Sequence, residues 1–124
     1  MLRQAARRLS AAYDEALEPF GINIAQFSLL RTVAAKEPIS LTDLGRIAGL
    51  DRSTIGRNVR VLERMNLLRT ARGDDKREAV VTLTGQGRDL IEAAIPVWEE
   101  CQHDVEGRLG DEGVAALRMI AGAV

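Results

Sequence analysis

Few of the side chains that most often carry catalysis or bind metal are present in this sequence. It has one cysteine, one histidine, one tryptophan, one tyrosine and two phenylalanines. A lone Cys101 excludes an intramolecular disulfide. A lone His103 leaves little for general-base work, and a Cys–His metal site would need ligands that the spacing does not offer. There is no phosphate-binding loop, no nucleophile elbow and no histidine cluster. The expectation is a protein that is not an enzyme and uses no cofactor and no metal. A net charge of −1 excludes a uniformly basic coat. No apolar run approaches the ~20 residues that a membrane helix requires, and no leader pattern precedes the first helix. A cytoplasmic protein with no membrane partner is expected.

What is present points to one globular domain. The 124 residues are 46% hydrophobic and 28% charged, ordinary values for a modest core. The charge is unevenly placed. Positions 46–77 hold nine basic residues and four acids, whereas positions 89–112 hold eight acids and Arg108 alone. A basic centre beside an acidic C-terminal part suggests a charged working face on a nearly neutral protein.

The periodicity organises the chain. Leu2, Ala6, Leu9, Tyr13 and Leu17 make one helical stripe, ended by Pro19 and Gly21. Asn23 has the place of an N-cap, with Gln26 three residues on and Ile22 and Phe27 as a staple pair. That second helix is expected through Leu30 and Val33 to about Lys36, where Glu37-Pro38 breaks it. Ser40 opens a third helix with Asp43 at the capping position. Leu44, Ile47 and Ala48 are its expected inner face, and Gly49 stops it. Asp51 caps a fourth helix whose Ile55, Val59 and Leu62 point inward. Asn66 suits a left-handed stop. Two short strands follow, over residues 67–72 and 79–83. Thr84 then caps a long helix to about Arg108. Its stripe includes Leu90, Ile91, Ala94, Ile95, Val97, Trp98, Cys101, Val105 and Leu109, and a kink is expected at Pro96. Gly110 separates a last helix carrying Val114, Leu117, Ala121 and Val124.

Residues 41–84 therefore follow the plan of a winged helix-turn-helix. The fold class expected is α+β, mainly α, with terminal dimerisation helices around that core. One domain is expected over 1–124, with a DNA-binding core at 22–84 and dimerisation helices at 1–21 and 85–124. The terminal helices have broad apolar faces and little else to bury them. Either a homodimer pools them or they fold back on the monomer, and the two-fold habit of helix-turn-helix proteins favours the dimer.

The fourth helix has an outward face of Ser53, Gly56, Arg57, Arg60 and Arg64. Ser53, Thr54 and Arg57 lie at the end that such helices present to base edges. Arginine can meet both acceptors of guanine. Arg52, Asn58, Arg60 and Arg64 suit phosphates, and Arg72 adds charge to the first strand. In the hairpin tip, Gly73 to Glu78, an extended backbone would put Asp75 and Arg77 on one side. The acid could then hold the guanidinium for a narrow minor groove, with Lys76 beside it.

The segment Leu62-Glu63-Arg64-Met65-Asn66-Leu67-Leu68-Arg69-Thr70 resembles the MarR family of bacterial regulators. So do Asp74-Asp75-Lys76-Arg77 and Val81-Thr82-Leu83-Thr84-Gly85-Gln86-Gly87. Upstream, Gln26-Phe27-Ser28-Leu29-Leu30 and Leu41-Thr42-Asp43-Leu44 fit the same pattern. The resemblance implies a homodimer on double-stranded DNA, a pseudo-palindromic operator and usually repression. It implies that the minor-groove arginine is Arg77, paired with Asp75, and that the recognition-helix contacts are Ser53, Thr54 and Arg57. Asn66 stands where the family often has glycine, and the first helix starts abruptly for a dimerising segment.

The resemblance also implies a small aromatic effector. Tyr13, Phe20 and Trp98 could line its pocket or simply pack the core. Cys101 could sense oxidants, but a free cysteine is most often a small buried hydrophobe, and reactive thiols need an electropositive setting. The readings left open are a repressor released by an effector, a redox-sensing regulator acting through Cys101, and a winged-helix protein-interaction module.

Overall fold

The structure, a computed structural model, describes residues 2–72 and 78–123; for residues 2, 5, 109 and 111–123 it describes the backbone alone. The elements are α1 (Leu2–Leu17), a 3-10 turn (Glu18–Phe20), α2 (Ile24–Lys36), β1 (Ile39–Ser40), α3 (Leu41–Ala48), α4 (Arg52–Arg64), β2 (Leu68–Arg72), β3 (Ala79–Leu83) and α5 (Gly85–Ala123). No helix among the described residues is long and apolar enough to cross a membrane. The chain forms two compact units: Ala25–Glu92, and Met1–Ile24 with Ala93–Val124.

In the first unit, helix ends and sheet are set by local chemistry. Ser40 accepts the amide of Asp43 at 3.0 Å and caps α3. Gly49 turns the chain with φ 71°, and Asn66 does so after α4 with φ 62°, both in the left-handed region that glycine and asparagine tolerate. Thr84 does two jobs at once. Its hydroxyl donates to the Asn66 carbonyl at 2.7 Å and accepts the Gly87 amide at 2.9 Å, so it caps α5 and ties it to the end of α4. Gly87 allows that approach, because a Cβ there would collide with the Leu67 backbone. The core is Phe27, Leu30, Val33, Leu44, Ile55, Val59, Leu62, Leu67 and Val81, none more than 2% exposed.

The sheet differs from expectation by one strand. Its order is β1-β3-β2, all antiparallel, with Leu68 opposite Leu83 and Arg72 opposite Ala79. β1 has two residues, Ile39 and Ser40, paired with Val81 and Val80. Two residues are too few for alternation to show, so only their partner strand defines them. Glu37 braces this corner: one carboxylate oxygen accepts the Leu83 amide at 3.2 Å and the other pairs with Arg88 at 3.0 Å.

Ile47 is corrected from an inner-face residue of α3 to an exposed one, 38% accessible. Gly45 is the buried residue beside Leu44. A Cβ at Gly45 would lie 3.1 Å from the Leu50 carbonyl oxygen and 3.2 Å from Ile55 Cγ2. The missing side chain lets α3 approach the start of α4 closely, so the packed face of α3 runs through Leu44 and Gly45 rather than Ile47.

In the second unit, Leu17, Ile22, Ala94 and Val105 are buried, while Ile95, Val97, Trp98 and Cys101 are only half-buried. Asp14 accepts the Ile24 amide at 2.8 Å and so satisfies the first backbone donor of α2. The helical run continues through Pro96, and its non-helical residue is Gly110, with φ 68°. The break expected at Gly110 is there. Pro96 leaves the backbone helical.

Candidate nucleic-acid interface

α4 is held at its first turn by three contacts. The Asp51 carboxylate accepts the Thr54 amide at 2.8 Å and the Ser53 hydroxyl at 3.2 Å. The Thr54 backbone hydrogen bond, then the Thr54 and Ser53 side chains, hold the Asp51 carboxyl below its ordinary pKa, with the Arg57 charge adding to the effect and burial opposing it. Asp51 is therefore ionised at neutral pH and complements the positive end of the helix dipole. Arg52 donates to the Thr42 hydroxyl at 3.0 Å and links the helix to α3. Thr42 is not marked by the helical periodicity, since its contact comes from the neighbouring helix.

Ile55, Val59 and Leu62 are buried, as their spacing predicts. On the other side Arg52, Ser53, Arg57, Arg60 and Arg64 are exposed, and Thr54 and Asn58 are half-buried. Gly56 departs from expectation. It is buried rather than open, because the Arg60 guanidinium lies over it. Among the described residues the ion pairs are Arg46–Asp43 and Arg88–Glu37, so none neutralises Arg57, Arg60 or Arg64. Glu63, the acid within the helix, instead accepts the Thr70 hydroxyl of β2 at 2.9 Å. The result is a helix face on which Arg57, Arg60 and Arg64 form no ion pair among the described residues, although the Arg57 charge is felt at Asp51. Arg69 and Arg72 add exposed charge on β2. Asp75, Lys76 and Arg77 lie outside the described residues.

The second unit contains a cleft of about 360 Å³ lined by Ala12, Ala16, Val97, Val105 and Cys101, with Glu15, Glu100, Asp104 and Arg108 among its charged residues. Tyr13, Phe20 and Trp98 are each half-buried, and none of them lines this cleft. The Cys101 thiol donates to the Ala12 carbonyl at 3.7 Å. Burial pushes its pKa up, with Asp104 and Glu15 adding to this and Arg108 opposing it. Burial also raises the Tyr13 hydroxyl, helped by Cys101 and Glu106. Among the described residues no group of three His, Cys, Asp or Glu side chains could hold a metal ion.

A short capped helix, a glycine turn, a second capped helix with an arginine face, and a three-stranded sheet define a winged helix-turn-helix protein. A sequence profile described as the MarR family matches residues 20–78. The transcriptional regulator HosA of Escherichia coli is 30% identical over 88 residues, covering 70% of this chain and 65% of HosA. An uncharacterised HTH-type transcriptional regulator of Bacillus subtilis, YwoH, is 29% identical over 91 residues, covering 73% of this chain and 66% of YwoH. The chain thus spans just under two thirds of the length of these curated relatives. The M. tuberculosis transcriptional regulator MosR, solved in complex with DNA, superposes with a TM-score of 0.82 at 35% identity, covering 98% of this chain and 93% of that one. The chain belongs to the MarR family.

Proposed function

We propose that this protein is a sequence-specific, dimeric DNA-binding transcriptional regulator of the cytoplasm that acts as a repressor. The observation that carries the reading is the α4 face, where Arg57, Arg60 and Arg64 are exposed on a capped helix and form no ion pair among the described residues. Leaving three like charges unpaired on one face is unfavourable by itself, and a polyanion would relieve it. The MosR structure with bound DNA supports the same reading.

In this reading Ser53, Thr54 and Arg57 meet base edges in the major groove. Arg52, Asn58, Arg60, Arg64 and Arg72 meet phosphates, with Lys76 beside them. Arg77, oriented by Asp75, enters the minor groove. A second copy covers the half-buried face of α5 at Ile95, Val97 and Trp98, so that two α4 helices engage a pseudo-palindromic operator about one helical turn apart. A small aromatic ligand near Tyr13, Phe20 or Trp98 would release DNA by favouring a different spacing of those helices.

The test is duplex binding at about 50 and 200 mM salt. A dimer making six to ten phosphate contacts loses roughly 10³- to 10⁵-fold in affinity over that range. Absence of binding to any duplex at low salt would overturn the proposal.

A further inference from the structure

Gly56 has no side chain to hide, lies on the arginine-bearing side of α4, and is nevertheless buried. Its cover is Arg60. Beyond the adjacent residues and the helix's own backbone, a Cβ placed on Gly56 would meet Arg60 Nη1 at 3.8 Å and Nη2 at 4.0 Å. Side chains on a helix lean toward its N-terminus, so a residue covers the turn before its own Cα. A long arginine with glycine four residues earlier can lie flat on that bare backbone. Among the described residues no hydrogen bond or ion pair engages the Arg60 guanidinium, so its donors remain available.

We propose that Arg60 reads a base and that Gly56 is its seat, the pair setting the preference at one base pair of each half-site. This rests on the DNA-binding reading above and changes what it assigns to Arg60. By its Cα alone, Arg60 belongs to the second half of α4, where phosphate contacts are expected. Its charged head sits a turn closer to the N-terminal end, level with Gly56. That end is the one a recognition helix turns toward base edges. A guanidinium offers two parallel donors that match N7 and O6 of guanine. A head already laid against the helix loses less freedom on forming them. The base recognised is therefore guanine, and a larger side chain at position 56 would lift the head away from it.

The experiment is selection of bound sites from random duplexes, with the wild-type chain, Arg60→Ala, Arg60→Lys and Gly56→Leu, each checked for helical content. The wild-type chain should select a guanine that Arg60→Ala no longer distinguishes, a loss of roughly 5- to 150-fold in preference there. Arg60→Lys should fail to restore it, since an ammonium lacks the paired donors. Gly56→Leu should lose preference at the same position while keeping Arg60. The proposal is overturned if Arg60→Ala keeps every preference while affinity falls equally on all duplexes and the salt slope drops by about 1, the mark of a phosphate contact. Unchanged preference in Gly56→Leu would remove the seat. If the wild-type chain itself binds no duplex, the underlying DNA-binding reading has failed, and that is seen before any variant is compared.

Discussion

α4 and the part of α5 around Trp98 are both amphipathic helices, and they leave opposite kinds of surface behind. The apolar side of α4 is finished within the chain: Ile55, Val59 and Leu62 are 0–2% exposed. Its other side is left with unpaired arginines. In α5 the apolar side is unfinished, with Ile95, Val97, Trp98 and Cys101 half-buried, while Glu99, Glu100 and Asp104 are exposed around them. The chain thus presents charge on α4, which a polyanion would relieve, and apolar surface on α5, which a packing partner would cover. Completed packing makes a helix a rigid platform for a polar face, whereas incomplete packing makes it a place for assembly.

The largest effect is expected from truncation on the packed side of α4. Leu62→Ala should destabilise the fold by about 2–5 kcal/mol, the usual range for a fully buried leucine, read as a fall in denaturation midpoint. Val61, next to it and 37% exposed, should cost under about 1 kcal/mol when changed to Ala. Similar losses at the two positions would mean that α4 is not a one-sided platform. A smaller effect on folding is expected at Val97→Ser, because its side chain is only half-buried within one chain. Its larger consequence should be on association, with sedimentation showing dissociation at protein concentrations where the unaltered chain stays dimeric. Unchanged association would place the dimer contact elsewhere. The smallest effect is expected at Cys101→Ser. A thiol raised by burial and flanked by Asp104 and Glu15 holds little thiolate at neutral pH, so DNA binding after peroxide treatment should match that of the unaltered chain. A peroxide response lost in the serine variant would make Cys101 a sensor.

Much of this is legible in the sequence, because it depends on neighbours three or four residues apart. Ser40, Asp51 and Thr84 cap their helices from adjacent amides, Gly49 and Asn66 take the left-handed turns, and the inward face of α4 follows from periodicity. What was not legible depends on distant partners. β1 exists because Val80 and Val81 pair with it. Asp14 completes the start of α2 from ten residues away, and Glu37 braces Leu83 and Arg88 from more than forty. Ile47 fits the inner stripe by spacing and is exposed, while Gly45 is the residue that packs against α4.

The candidate site divides along the same line. The arginine face of α4 was visible as a pattern. Which arginines remain unpaired was not, since that required knowing that Glu63 is engaged by Thr70 on β2 and that Arg52 is held by Thr42. By itself the sequence determined the helices, their caps and the family, because those follow from local hydrogen-bond satisfaction and apolar spacing. The tertiary structure alone decided which apolar faces are finished within the chain and which of the α4 arginines keep their donors free. A side chain's cover and its free donors depend on every group packed nearby, and these come together only when the chain folds.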